Sequence, residues 1–262
     1  MKLFAVIAVT WSFLLSVDGF GGTIDWELDQ VSPYISNGTQ ISIQSRPYQV
    51  SLVIDFVNYC SGILLSDLFV LTAAHCIYGR KYAQVILGAN NPNASIREPT
   101  LVSREALLLY PHDLYRPNST RFDIGVVRFP SPVTFTDVIK PVTLPNMNDT
   151  SPSNYTGEIG IVSGWGYNEK SGPMAAHLRG VNVTVITNYE CNASYSGVIR
   201  DEHLCASGRG AACIGDGGGP LIFNHTLIGL ISWSDEACNM TAPTVFSRIT
   251  YWRDWIYRFS GI

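Results

Sequence analysis

The sequence predicts an all-β protein closed by a single C-terminal helix. Three observations carry this: short runs of β-branched and aromatic residues recur between turn residues, no βαβ alternation or solenoid period interrupts them, and a helical apolar period appears only at the end of the chain. In order, the strand runs are 48–54, 62–65, 69–72, 84–87, 124–129, 161–163, 181–186, 220–223, 227–233 and 244–248. Their number and spacing suit a sandwich or a barrel. A Pro- and Asn-rich stretch over 144–155 divides the runs into two sets and marks the domain boundary, with one half over about 35–145 and the other over about 146–262. The final helix follows from Ile249, Trp252, Ile256 and Phe259, whose spacings of 3, 4 and 3 put them on one face. That stripe is expected to dock on a barrel as core packing rather than to serve as a ligand platform.

With 262 residues, 46% hydrophobic and 15% charged, the chain can bury a sizeable core and is not disordered. Its net charge of −4 and the lack of a Lys/Arg block exclude the electrostatic footprint of a nucleic-acid binder. Residues 3–17 form the one long apolar run, behind Lys2 and ahead of Asp18 and Gly19. Thr10, Ser12 and Ser16 interrupt it, and it falls short of the ~20 apolar residues of a membrane span. It therefore reads as a secretory signal peptide over 1–19, giving an exported protein with no membrane partner.

Cysteines and sequons agree with that compartment. The six cysteines, Cys60, Cys76, Cys191, Cys205, Cys213 and Cys238, contain no CxxC pair, so disulfides are favoured over metal ligation. Fifteen pairings are open by count alone; a Cys60–Cys76 bridge would close a 17-residue loop and stabilise by roughly 3 kcal/mol. Nine of the fifteen Asn stand in sequons: Asn37, Asn93, Asn118, Asn148, Asn154, Asn182, Asn192, Asn224 and Asn239. Chance would give about two or three. A glycosylated surface is expected.

Of the five histidines, His112, His177, His203 and His225 lack a context that argues for chemistry. His75 differs, since it follows the apolar strand 69–72 and precedes Cys76, whose bridge could hold the imidazole at a strand end. Asp123 enters the apolar run 124–129, and a buried carboxylate is costly unless paired. An imidazole N–H would be such a partner and would fix the tautomer of His75.

At these residues the sequence resembles the trypsin and chymotrypsin family of serine proteases, over essentially all of 35–262. The likeness rests on Ile35-Ser36-Asn37-Gly38, Pro47-Tyr48-Gln49-Val50-Ser51-Leu52, Thr72-Ala73-Ala74-His75-Cys76, Asp123-Ile124, Gly164-Trp165-Gly166, the run from Cys213 to Pro220, and Ser232-Trp233. It implies two antiparallel Greek-key β-barrels with a cleft between them, and the disulfides Cys60–Cys76, Cys191–Cys205 and Cys213–Cys238. It also implies a short propeptide-like segment over 20–34, with a switch in which the freed amino group of Ile35 would pair with Asp216. Tyr34 stands where trypsin-like activators want Arg or Lys, so processing by a chymotrypsin-like enzyme and no processing at all both stay open. Cleavage there would remove Asp25, Glu27 and Asp29 and take the net charge from −4 to −1.

One departure decides the expected function. The family's nucleophile motif, Gly-Asp-Ser-Gly-Gly-Pro, here reads Gly215-Asp216-Gly217-Gly218-Gly219-Pro220. Glycine has no side-chain oxygen, so no acyl-enzyme can form on Gly217, whatever the triad remnants His75 and Asp123 do. The resemblance gives Ser232 a place against the buried Asp, while the Gly215 and Gly217 N–H groups keep an oxyanion hole. It makes Ala211 the floor of the primary pocket, with Ser234 and Thr244 as walls where the trypsin type has Gly, so a small apolar side chain is expected there. The reading is of an arthropod-like serine protease homologue, a pseudoprotease that is not an enzyme and needs no metal or cofactor. Its partner would be a peptide or protein, such as a protease inhibitor or a cascade protease. A hydrolase using His75 and a secreted protein with an idle cleft are the competing expectations.

Overall fold

The computed structural model describes residues 38–93, 98–149, 155–167, 174–235, 238 and 242–262. The apolar run 3–17, the segment 20–34, Ile35, Asn37, Asn154 and Asn239 lie outside the described residues. Fourteen strands and three α-helices follow in the order β1 (Thr39–Gln40), β2 (Gln49–Ile54), β3 (Asn58–Leu64), β4 (Phe69–Thr72), α1 (Ala74–Ile77), β5 (Ala83–Leu87), β6 (Val102–Glu105), β7 (Leu108–Pro111), β8 (Gly125–Arg128), β9 (Ile159–Gly164), β10 (Arg179–Ile186), α2 (Asn188–Ser194), β11 (His203–Ser207), β12 (Pro220–Phe223), β13 (Thr226–Trp233), β14 (Thr244–Arg248) and α3 (Ile249–Ser260) among the described residues.

The strands form two antiparallel, curled sheets, as an all-β trypsin-like fold requires. The first has the order β6-β5-β2-β3-β4-β8-β7. The second runs β1-β10-β11-β14-β13-β12-β9, and β9 also pairs with β10, from Arg179↔Gly164 to Thr184↔Ile159, which closes the ring. Inward residues of the first sheet, among them Leu52, Ile54, Leu64, Val85 and Phe129, are fully buried. The second sheet encloses Val162, Leu204, Leu221, Ile228 and Phe246.

A third cluster joins the two. Ile63, Leu71, Ile124 and Val126 of the first sheet meet Ile222, Leu227 and Leu230 of the second, with Ile249, Trp252 and Ile256 of α3 laid across them. Burial of that apolar seam holds the sheets at the distance the cleft needs. The start of the described chain also crosses over, since β1 pairs with β10 through Thr39↔Gly180.

The helix and its face are where the period put them, and Gly261, at φ +75°, ends it in the left-handed conformation that glycine adopts at low cost. The sequence reading missed β1, β6, β7 and β11. β1 is only Thr39–Gln40, and β6, β7 and β11 carry Ser, Arg, Glu, His or Pro in place of a β-branched run; β6 and β7 are edge strands, where such residues are tolerated. It also missed α1 and α2, of four and seven residues, which are too short to show a period. For α2 a signal existed: Thr187 and Glu190 form a capping box, each side chain bonded to the other's backbone N–H.

Ile256→Ala would remove a side chain with no solvent exposure from the seam. The expected cost is about 2–5 kcal/mol in urea unfolding, with the slope unchanged.

Candidate active site

The site is assembled at the seam from ends of strands. β4 delivers the chain to α1, whose second residue is His75, and the Cys60–Cys76 disulfide ties α1 back to β3. Asp123 stands two residues before β8, and Ser232 lies on β13 of the other sheet. Asp123 is 5% exposed, so its carboxylate must be satisfied from within. His75 Nδ1 lies 2.8 Å from Oδ2, the backbone N–H of His75 donates to Oδ1 at 2.8 Å, and Ser232 Oγ donates to Oδ2 at 2.5 Å.

These contacts set the protonation of the pair. Burial would raise the Asp123 pKa, but the neighbouring imidazole and the hydrogen bonds from His75 and Ser232 outweigh it and hold it below the usual carboxylate value. Burial pulls His75 down, and the Asp123 charge and hydrogen bond overcome it, leaving the imidazole more basic than usual. Nδ1–H therefore faces Asp123, and Nε2 carries the free lone pair.

Phe122 is the strained residue that aims Asp123 inward. Its φ of +59° lies in the left-handed region, where a bulky side chain is an outlier. Its ring is stacked on His112 at 5.0 Å and meets Trp252 at 5.9 Å, while the Arg121 guanidinium lies 4.7 Å over it. Arg121 in turn makes a two-pronged ion pair with buried Glu202, at 3.0 and 2.9 Å. His203, buried, accepts from Arg200 N–H at 3.0 Å, so its Nε2 donates to Thr120 O at 2.9 Å. The sequence reading left His112 and His203 without chemistry; they act here as packing and bracing groups of the Asp123 loop.

The glycines of the turn between Cys213 and Pro220 differ in kind. Gly215 and Gly218 sit at φ +91° and +80°, and a Cβ on Gly219 would lie 2.8 Å from the Asp216 carbonyl oxygen. The fold needs those three. Gly217 has an ordinary φ, and the obstacle to a Cβ there is a side chain: His75 Nε2 would be 2.5 Å away. The imidazole thus leans into the volume a residue at 217 would fill. Among the described residues the imidazole's hydrogen-bond partner is Asp123 alone, and the N–H groups of Gly215 and Gly217 have no acceptor.

Asp216, fully buried, accepts from Gly166 N–H at 2.8 Å and Cys213 N–H at 3.0 Å. A Cβ on Gly164 or Gly166 would run into its carboxylate, which explains the Gly164-Trp165-Gly166 segment. No cation lies beside it among the described residues, and burial pushes its pKa up to about 7 against the two hydrogen bonds.

A cleft of about 380 Å³ runs past this turn, lined among others by Tyr59, His75, Arg80, Gly217, Trp233 and Ser234. Its lining takes in Ser234 but neither Ala211 nor Thr244, both buried. Ser234 Oγ donates to Ala212 O at 2.9 Å, and Thr244 Oγ1 accepts from Ala212 N–H at 3.4 Å. The two hydroxyls thus converge on Ala212, one at its N–H and the other at its carbonyl. The remaining disulfides are Cys191–Cys205 and Cys213–Cys238, so all three pairings are those the resemblance implied. Asn93, Asn118, Asn148, Asn182 and Asn224 are exposed, whereas Asn192 is half-buried and its Oδ1 holds Ile199 N–H at 2.9 Å. Asn118 lines a rim that it shares with His75, Tyr115 and Trp233.

Asp216 generates a pH prediction for the uncleaved chain. Its folded pKa of about 7 exceeds the unfolded value of 3.8, so the folded state binds more protons between the two. The stability this group contributes is complete below the unfolded value and is lost as pH rises through the folded one. The urea midpoint should fall from about pH 5 to about pH 8, and Asp216→Asn should flatten most of that fall. His75, also raised, acts in the same direction and leaves a residual slope.

Comparison with known proteins agrees with the geometry. Residues 35–256 match the Trypsin family. The chain is 35% identical over 232 residues to brachyurin of Leptuca pugilator, covering 87% of this chain and 99% of that protein. It is 32% identical over 231 residues to chymotrypsin of Phaedon cochleariae, covering 86% and 82% respectively. A match of this extent, on a structure of two curled antiparallel sheets, shows that the chain belongs to the trypsin family of serine proteases.

Proposed function

We propose that this protein is an exported, glycosylated member of the family that no longer cuts peptide bonds and acts by holding a peptide or protein partner in its cleft. The observation that carries the reading is Gly217: the position facing His75 Nε2 offers no oxygen. Loss of the nucleophile in such an enzyme costs on the order of a millionfold in kcat. The nearby hydroxyls do not replace it. Ser232 is committed to Asp123, Ser61 is 1% exposed, and Ser234 is bonded to Ala212 O.

Binding survives for a physical reason. Among the described residues the Gly215 and Gly217 N–H groups have no acceptor, so a carbonyl oxygen in the cleft would satisfy them. Ser234 lines the cleft, while Ala211 and Thr244, which the resemblance assigns to the primary pocket, lie buried behind it, so the space left for a bound residue suits a small apolar side chain. A glycan on Asn118 would crowd one approach to His75 and favour partners entering from the side of Tyr59 and Arg80. A protease inhibitor or a cascade protease matches this chemistry. No helix among the described residues is long and apolar enough to cross a membrane.

Two measurements test the proposal. The purified protein should take no fluorophosphonate label, while Gly217→Ser should take it once the imidazole swings back; labelling of the native chain would end the reading. In titration calorimetry against a peptide panel, the native cleft should prefer small apolar residues. Replacing Ser234 and Thr244 together by Gly should shift that preference to larger side chains by about tenfold. A native cleft that binds no peptide would favour a secreted protein with an idle site.

A further inference from the structure

We propose that His75 itself is a nucleophile toward activated acyl groups, so that the protein hydrolyses aryl esters and thioesters while leaving amides intact. This goes beyond peptide binding and concerns chemistry that the loss of the serine creates.

The geometry differs from a triad that has merely lost its hydroxyl. A Cβ built on Gly217 would stand 2.5 Å from His75 Nε2 and 2.9 Å from its Cε1. The ring has entered the space a nucleophile's stem would hold. Nδ1 is bound to Asp123, so the lone pair on Nε2 is the group presented to the cleft. The His75 side chain is 36% exposed, and it lines the cleft with Gly215 and Gly217. Their unpaired N–H groups can hold the oxygen of a bound carbonyl as negative charge develops on it.

The bonds balance without a co-reactant other than water. The Nε2 lone pair forms a bond to the carbonyl carbon, and the carbonyl π pair moves onto the oxygen. Collapse breaks the bond from carbon to the aryloxide or thiolate, which leaves with its electron pair. The acyl-imidazolium keeps Nδ1–H on Asp123, whose charge stabilises it. Water then adds to the acyl carbon, the C–N bond breaks with its pair returning to Nε2, and the proton leaves to solvent. The products are a carboxylic acid and a phenol or thiol.

The same chemistry excludes amides. An amide nitrogen leaves only when protonated, and here the imidazole that would give the proton is the attacking group. The intermediate therefore expels imidazole and reverts. Substrate choice follows from the leaving group, with a small acyl portion favoured by the filled pocket.

The test uses the full chain and p-nitrophenyl acetate, followed by p-nitrophenolate release. The native protein should turn it over, with a rate that rises as His75 loses its proton and levels above the ordinary imidazole range of about 6.5. His75→Ala should lower the rate by about tenfold or more, the residue left to His177, His225 and other surface groups. Gly217→Ala, which places the Cβ against the ring and leaves Asp123 and the oxyanion donors in position, should lower it similarly with unchanged circular dichroism. Early p-nitrophenolate release at matched His75 ionisation should run at the same rate in water and deuterium oxide, since attack by the Nε2 lone pair moves no proton. Native rates no higher than those of both variants, or a clearly slower release in deuterium oxide, as when imidazole activates water, would overturn the inference. Silence toward fluorophosphonate in the same preparation would leave the binding proposal standing.

Discussion

A carboxylate sealed from water at the junction of two sheets governs this structure. Asp123 cannot be left unpaired, since a bare buried charge costs several kcal/mol. Its donors come from segments far apart in sequence: His75 from α1, which follows β4 of the first sheet, and Ser232 from β13 of the second. Ser247 of β14 adds a hydroxyl to the Asp123 carbonyl at 2.7 Å. Satisfying one group therefore fixes the imidazole, one face of the cleft and the relation of β13 and β14 to the Asp123 loop.

Support for that arrangement is spread over groups with no chemistry of their own. The left-handed Phe122 costs on the order of 1–3 kcal/mol, offset by the His112 and Trp252 rings and by the Arg121–Glu202 pair. This bracing stands beside a residue with no side-chain oxygen, Gly217, for a physical reason. Asp123 needs its partners for stability whether or not His75 ever accepts a proton, so the network is under the same constraint with glycine at 217.

The turn around Gly217 combines fixed and adjustable constraints. Gly215, Gly218 and Gly219 are held by backbone geometry. At Gly217 the neighbour is a movable side chain, and close packing favours an imidazole that lies against the glycine. The turn thus presents backbone N–H groups beside an imidazole nitrogen.

The sequence by itself determined the all-β class, the α3 face and the residues of the dyad, because each rests on local pattern or on a motif whose residue types are the chemistry. The glycine at 217 was legible at once, as was the strand ending at Thr72 that presents His75. It did not show β6 and β11, whose polar residues are tolerable only at the edge or in the pairings the sheets provide, nor β7, where Leu108, Leu109 and Tyr110 run into Pro111. Nor did it show the convergence of Ser234 and Thr244 on Ala212, the bracing by Arg121 and Glu202, or the advance of the imidazole toward Gly217. Those depend on which distant side chains share a volume, and only the packed structure fixes that.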